Sequence, residues 1–310
     1  MGKTAFLFPG QGAQYVGMGK ELYENIDVCK EIFDEADRAL GFPLSKMCFE
    51  GPKESLDSTE NTQPAVLTMS IAVLRALEES GIKADVTAGL SLGEYSALVA
   101  SGVLDFTQAV QLVKKRGRYM QEAVPIGIGA MAAIIGLDEE SLRTICKRCE
   151  TSGIVEIANL NCPGQIVIAG EKKAVDLACE EAKSSGAHKA VKLSVSGPFH
   201  TSMLKPAADK LEKELKNINL KDFEIPVITN VTGEIVKNKD DVKPYLKKQV
   251  MSTVLFEKSI RNMIDMGADK FVEIGPGKAL SGFVKRVDRK LTILNIQDLE
   301  SLKSAVEKLK

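Results

Sequence analysis

Val86-Thr-Ala-Gly89-Leu90-Ser91-Leu92-Gly93-Glu94-Tyr95-Ser96-Ala97-Leu98-Val99 is a short apolar run, then G-x-S-x-G, then a helical pattern of small apolar residues. That order predicts a strand, Val86 to Gly89, turning sharply into a helix with a serine at the apex. The two flanking glycines relieve the crowding such a turn creates. At a helix N-terminus, unpaired backbone N–H groups and the helix dipole favour developing negative charge, so Ser91 is the candidate nucleophile. A glycine-rich helix start with a capping serine has the same letters.

Outward from this turn the chain alternates. Thr4 to Phe8 reads as a buried strand ended by Pro9-Gly10-Gln11-Gly12. Gln63 to Glu79 and Asp105 to Ala123 carry helical spacing, with Asp105 as a cap. Pro125-Ile-Gly-Ile-Gly129 looks like a hinge. Beyond it the reading is strand Ala130–Leu137, helix Asp138–Glu150, strands Ile154–Leu160 and Gln165–Ala169, helix Lys172–Ser184 and strand Ala190–Val195. This βαββαβ order is that of a ferredoxin-like unit. After Ser196-Gly197-Pro198 a helix Met203–Lys216 and strands Pro226–Thr229 and Lys270–Ile274 resume the α/β alternation. The expectation is a discontinuous parallel-sheet α/β domain, residues 1–126 and 197–310, with a ferredoxin-like subdomain, residues 127–196, inserted into it and a cleft between the two.

The 310 residues suffice for two cores, and 41 Lys+Arg against 42 Asp+Glu give a net charge of -1, so no global field favours nucleic acid or an acidic membrane surface. No apolar run approaches the roughly 18 residues of a membrane span. Met1 to Pro9 is too short an apolar stretch for a secretory signal, and the six cysteines read as reduced cytoplasmic thiols. Cys146-Lys-Arg-Cys149 supplies only half of a structural zinc site. Gly10-Gln-Gly12-Ala-Gln-Tyr15 lacks the last glycine of the dinucleotide fingerprint, and Gly275-Pro-Gly277-Lys278-Ala279 lacks the first glycine and the Ser/Thr of a phosphate loop. No cofactor or metal is expected.

A serine hydroxyl needs a base, and the chain has two histidines. His188 sits in an alternating run where Val191, Leu193 and Val195 share one face, leaving His188, Lys192 and Ser194 on the other, which reads as solvated. His200 follows the turn where the chain re-enters the large domain, on a loop at the cleft, so it is the candidate base. In Lys114-Lys115-Arg116-Gly117-Arg118, Arg116 falls roughly 50–60° from the centre of the apolar stripe of its helix, while Lys115 and Arg118 lie nearly opposite. A buried-leaning arginine requires an anionic partner.

Together, Gly10-Gln11-Gly12-Ala13-Gln14, Gly89-Leu90-Ser91-Leu92-Gly93-Glu94, Arg116, Gly197-Pro198-Phe199-His200 and Gln249-Val250 resemble the malonyl-CoA:acyl carrier protein transacylase family over nearly the whole chain. The resemblance implies a hydrolase-like large domain with the inserted ferredoxin-like subdomain. It implies ping-pong transfer of malonyl from coenzyme A, through an ester on Ser91, to the phosphopantetheine thiol of acyl carrier protein, in fatty acid synthesis. It also implies that Gln11 and Leu92 lend backbone N–H groups to an oxyanion hole, and that Gln249 orients His200. A guanidinium makes two parallel bonds to a carboxylate, so Arg116 is expected to select malonyl over acetyl. Many relatives have histidine where this chain has Leu90, and serine where it has Ala13.

Acyl carrier proteins are generally acidic, which makes Lys189, Lys192, Lys285, Arg286, Arg289 and Lys290 candidate docking charges, and the chain is expected to act as a cytoplasmic monomer. A serine hydrolase or thioesterase shares the elbow, with Asp105, Asp138 and Asp176 lying between Ser91 and His200 in the Ser…Asp…His order. A non-enzymatic carrier-binding module is the third reading.

Overall fold

The computed structural model describes every residue except Met1, Ile126, Ser194 and Ser196. Among these the strands are β1 (Lys3–Phe8), β2 (Val86–Gly89), β3 (Gly129–Ile135), β4 (Val155–Cys162), β5 (Gln165–Glu171), β6 (Lys189–Lys192), β7 (Val227–Ile228), β8 (Val254–Leu255), β9 (Ala268–Ile274) and β10 (Thr292–Ile296). Along β1, Phe6 and Phe8 enter one hydrophobic core while Ala5 and Leu7 enter another. A strand buried on both faces belongs inside a parallel sheet covered by helices on each side. β1 is central to such a sheet, of order β10-β9-β1-β2-β7, and every pairing in it is parallel.

The second sheet has the order β6-β3-β5-β4-β8. Its first four strands are antiparallel and follow the ferredoxin-like order, with helices Glu139–Cys149 and Lys172–Ser184 packed on one face around Ala132, Ile134 and Ile168. The fifth strand, β8, comes from outside residues 127–196 and pairs with β4 in parallel. At two residues it is too short to show a period in sequence, and neither it nor β10 was expected.

The last strand of the ferredoxin-like unit departs from the expectation. It ends at Lys192 rather than Val195, and Ser194 lies outside the described residues. Val191 and Leu193 are 49% and 37% exposed: among the described residues β6 pairs with β3 alone and is an edge strand, and Leu193, beyond its end, lines the cleft. Val191 pairs with Ala133, which faces the large core, whereas Lys192 reaches Asp176 on the helix side at 2.7 Å. His188 is exposed. The boundary residues Ile126 and Ser196 also lie outside the described residues.

Two long helices, Thr59–Glu79 and Phe106–Ala123, pack closely across the main core. Gly117 permits the approach: a Cβ there would stand 2.4 Å from the Thr59 carbonyl oxygen. Gly117→Ala is therefore expected to destabilise the protein by about 1–3 kcal/mol through overpacking. Gly282, on the exposed face of helix Ala279–Val287, has open space around it, so Gly282→Ala is expected to stabilise by about 0.5–1 kcal/mol. Denaturant midpoints of the two variants check the opposite signs.

Candidate active site

Strand register places the site. Phe8 of β1 pairs with Gly89 of β2, so the loop after β1 and the turn after β2 leave the carboxyl edge of the sheet side by side, where open α/β sheets hold ligands. The Leu90 N–H donates to the Phe8 carbonyl at 3.0 Å. A Cβ on Gly89 would lie 1.9 Å from the Gly93 carbonyl carbon, and one on Gly93 would lie 2.0 Å from the Phe8 oxygen. Neither position admits a side chain. Between them Ser91 takes φ +53°, in the left-handed region, just before helix Gly93–Ala100. Asn230, in the loop after β7, clamps this turn: its Oδ1 accepts the Ser91 N–H at 2.6 Å and its Nδ2 donates to the Gly89 carbonyl at 2.7 Å.

Ser91 Oγ lies 2.8 Å from His200 Nε2, across 109 positions of chain. His200 Nδ1 is 2.8 Å from the main-chain carbonyl of Gln249. A carbonyl only accepts, so Nδ1 carries the proton and Nε2 is left bare to accept from the serine hydroxyl. His200 is itself left-handed, at φ +63°, and 4% exposed. Burial pushes its pKa down to about 4, with the nearby Arg116 charge adding to the effect and the Gln249 bond opposing it. The imidazole is therefore neutral near pH 7.

Arg116 is 1% exposed, whereas Lys115 and Arg118 on the same helix face solvent. Its Nη2 donates to Ser91 Oγ at 3.1 Å and to Gln249 Oε1 at 3.0 Å, and Nη1 donates to Gln63 Oε1 at 2.8 Å. All three acceptors are neutral. The guanidinium lies 5.4 Å from the Tyr95 ring centre, a cation–π contact, and its Nε has no partner among the described residues. Burial lowers its pKa, opposed by Tyr95 and Glu94.

Gln249, at the end of helix Val242–Gln249, serves several groups with different atoms. Its main-chain carbonyl meets His200, while its side-chain Nε2 donates to the Ser91 carbonyl at 3.0 Å and to Glu94 Oε2 at 2.8 Å. Gln11 and Leu92 line the same cleft of about 390 Å³ as Ser91, Arg116 and His200. Among the described residues, neither the Gln11 nor the Leu92 amide is taken up by another backbone carbonyl.

Three residues escaped the sequence reading. Gln63 and Asn230 carried no signal, since their roles depend on long-range contacts. Glu94 did carry one: it is a lone carboxyl in a helix whose other residues are small or apolar, and all of them are buried. Burial pushes its carboxyl upward, against bonds from Asn230, Gln249 and Thr229 and the charge of Arg116.

The remaining candidates fall elsewhere. Asp105 and Asp138 cap helices and Asp176 pairs with Lys192, so none of the three orients His200. At Gly275-Pro276-Gly277 the chain's own Glu273 accepts the Leu280 and Ser281 amides at 3.1 and 2.8 Å, filling the helix start where a phosphate would bind. Cys146 and Cys149 are unpaired, and burial pushes their thiols up to about 12 and about 11.

Residues 5–302 match the family described as acyl transferase domain. The chain belongs to the acyl transferase family. The malonyl CoA-acyl carrier protein transacylase of Bacillus subtilis (strain 168) is 54% identical over 311 residues, covering 100% of this chain and 98% of the relative. The enzyme of the same name from Staphylococcus aureus (strain MRSA252) is 45% identical, covering 98% of each. Among solved structures, the malonyl CoA-acyl carrier protein transacylase of Clostridium perfringens Atcc 13124 superposes with a TM-score of 0.96 at 50% identity, over 99% of this chain and 97% of that one. A structure described as a type II PKS acyl-carrier protein in complex with its malonyl-transacylase gives 0.96 at 43% identity, over 99% of each chain. The parallel-sheet core with its second sheet is thus the fold of this acyl transferase family.

The buried imidazole carries a pH signature. The unfolded chain's histidine protonates near 6.5 while the folded one resists until about 4. This contribution is full above pH 6.5 and is lost as pH falls toward 4, by on the order of 3 kcal/mol. Denaturation of wild type and His200→Gln across that window should show the steeper acid loss in wild type; parallel curves would contradict it.

Proposed function

We propose that this chain is a malonyl-CoA:acyl carrier protein transacylase that loads malonyl groups for fatty acid synthesis. The observation that carries the reading is the buried guanidinium of Arg116 resting 3.1 Å from Ser91 Oγ, a cation held where an acyl group on that serine will sit. A serine hydrolase acting on neutral acyl groups has no use for it.

His200 Nε2 takes the Ser91 proton, and Oγ attacks the thioester carbonyl of malonyl-CoA. The oxyanion is held by the Gln11 and Leu92 amides, each donor being worth about 2.7–4 kcal/mol. Collapse of the intermediate expels the coenzyme A thiolate, protonated by His200, and leaves malonyl esterified to Ser91. Arg116 grips its free carboxylate through the guanidinium N–H groups that reach Ser91 Oγ. The phosphopantetheine thiol of acyl carrier protein then gives its proton to His200 and attacks the ester by the reverse route.

Residues 1–126 and 197–310 are taken as the large domain and 127–196 as the insertion. Exposed Lys189, Lys285, Arg286, Arg289 and Lys290 suit an acidic carrier, whereas Lys192 is already paired with Asp176. Six unpaired cysteines suit a reducing cytoplasm, and the cleft is complete within one chain, as a monomer requires. Among the described residues no helix is long and apolar enough to cross a membrane.

Intact mass after incubation with malonyl-CoA should show one malonyl adduct, mapped to Ser91 and absent from Ser91→Ala. Arg116→Ala should lower malonyl kcat/KM by on the order of 10- to 150-fold, the loss expected from about 1.5–3 kcal/mol for a charge-assisted bond, and should erode the preference over acetyl. An unchanged preference would remove Arg116 from acyl recognition.

A further inference from the structure

Glu94 is a buried carboxyl that none of these transfer steps employs. It stands second in helix Gly93–Ala100 and is 2% exposed. Its Oε1 accepts from Thr229 Oγ1 at 2.8 Å, and its Oε2 accepts from the Asn230 N–H and from Gln249 Nε2, each at 2.8 Å. Arg116, equally buried, bonds only to neutral acceptors. The Gln249 side chain stands between these two: its nitrogen donates to Glu94 and its oxygen accepts from Arg116. A primary amide suits this place because one end only donates and the other only accepts.

The arrangement resolves a conflict. A cation buried alone is costly, so the guanidinium needs an anion nearby. A carboxylate in direct contact would occupy the N–H groups that an acyl carboxylate must reach. We propose that Glu94 is a positioning residue for acyl selection: its carboxylate balances the buried Arg116 charge through the Gln249 amide, keeping the guanidinium charged yet open to a malonyl carboxylate. This rests on Arg116 being the anchor for the acyl carboxylate.

Glu94→Gln isolates the charge. The Thr229 hydroxyl can turn to accept from the new amide nitrogen, while the remaining oxygen still serves Asn230 and Gln249. Arg116→Met removes the cation. Wild type, E94Q, R116M and the double variant are compared by denaturation midpoint and by malonyl and acetyl kcat/KM for Ser91 loading. E94Q should destabilise the protein when Arg116 is present and stabilise it in the R116M background, where the carboxylate is the lone buried charge. With Arg116 present, E94Q should also raise the malonyl-over-acetyl preference about tenfold, because a charge opposing the substrate carboxylate is gone.

Equal effects of E94Q on the denaturation midpoint in both backgrounds would make Glu94 a hydrogen-bonding residue only and overturn the proposal. Should E94Q alone fail to fold, R116M against the double variant decides: a gain in midpoint supports the charge balance and a loss overturns it. Absence of malonyl on wild-type Ser91 would instead defeat the functional reading beneath the proposal.

Discussion

No side chain fits between the end of β1 and the turn that follows β2. The Phe8 carbonyl lies where a Cβ of Gly93 would be, and Gly89 and Gly93 are pressed against each other. This contact pins the start of helix Gly93–Ala100 to the carboxyl end of the central strand and leaves Ser91 only a left-handed route between them. A non-glycine residue in that region costs about 1–3 kcal/mol. The two Asn230 bonds to the turn offset it. His200 is held the same way, at φ +63°, so both members of the hydrogen-bonded pair sit in backbone conformations that only the surrounding fold maintains.

Arg116 is the buried cation of a cleft that Lys278 also lines. Arg116 touches the serine, the Gln249 amide and Gln63, and its field is the second cause of the depressed imidazole pKa. Any anion paired with the guanidinium would remove part of that field. The guanidinium that contacts Ser91 thus also sets part of the His200 pKa.

The elbow was legible because its glycines answer a steric demand that spacing alone reveals. His200 was legible by elimination from two histidines, and the burial of Arg116 from its angle on the helix. Gln249 was visible only through family resemblance, since a main-chain carbonyl that orients a histidine leaves no trace in side-chain identity. Val191 misled for a different reason: alternation tells which residues share a face but not whether that face is covered. Asn230 was silent, because one asparagine after a two-residue strand looks like any loop.

Missing β8 hid the tie between the two sheets. The Asn230 carbonyl accepts from the Leu255 N–H at 2.9 Å, and Leu255 pairs with Leu160 and Val254 with Asn159 on β4. Asn159 lines the cleft. The residue that clamps the serine turn is therefore also the residue from which β8 reaches into the second sheet. Movement of the β4 wall relative to Ser91 must strain either the Asn230 clamp or the β4–β8 pairing. The width of the cleft is accordingly set by the same backbone that holds the Ser91 turn.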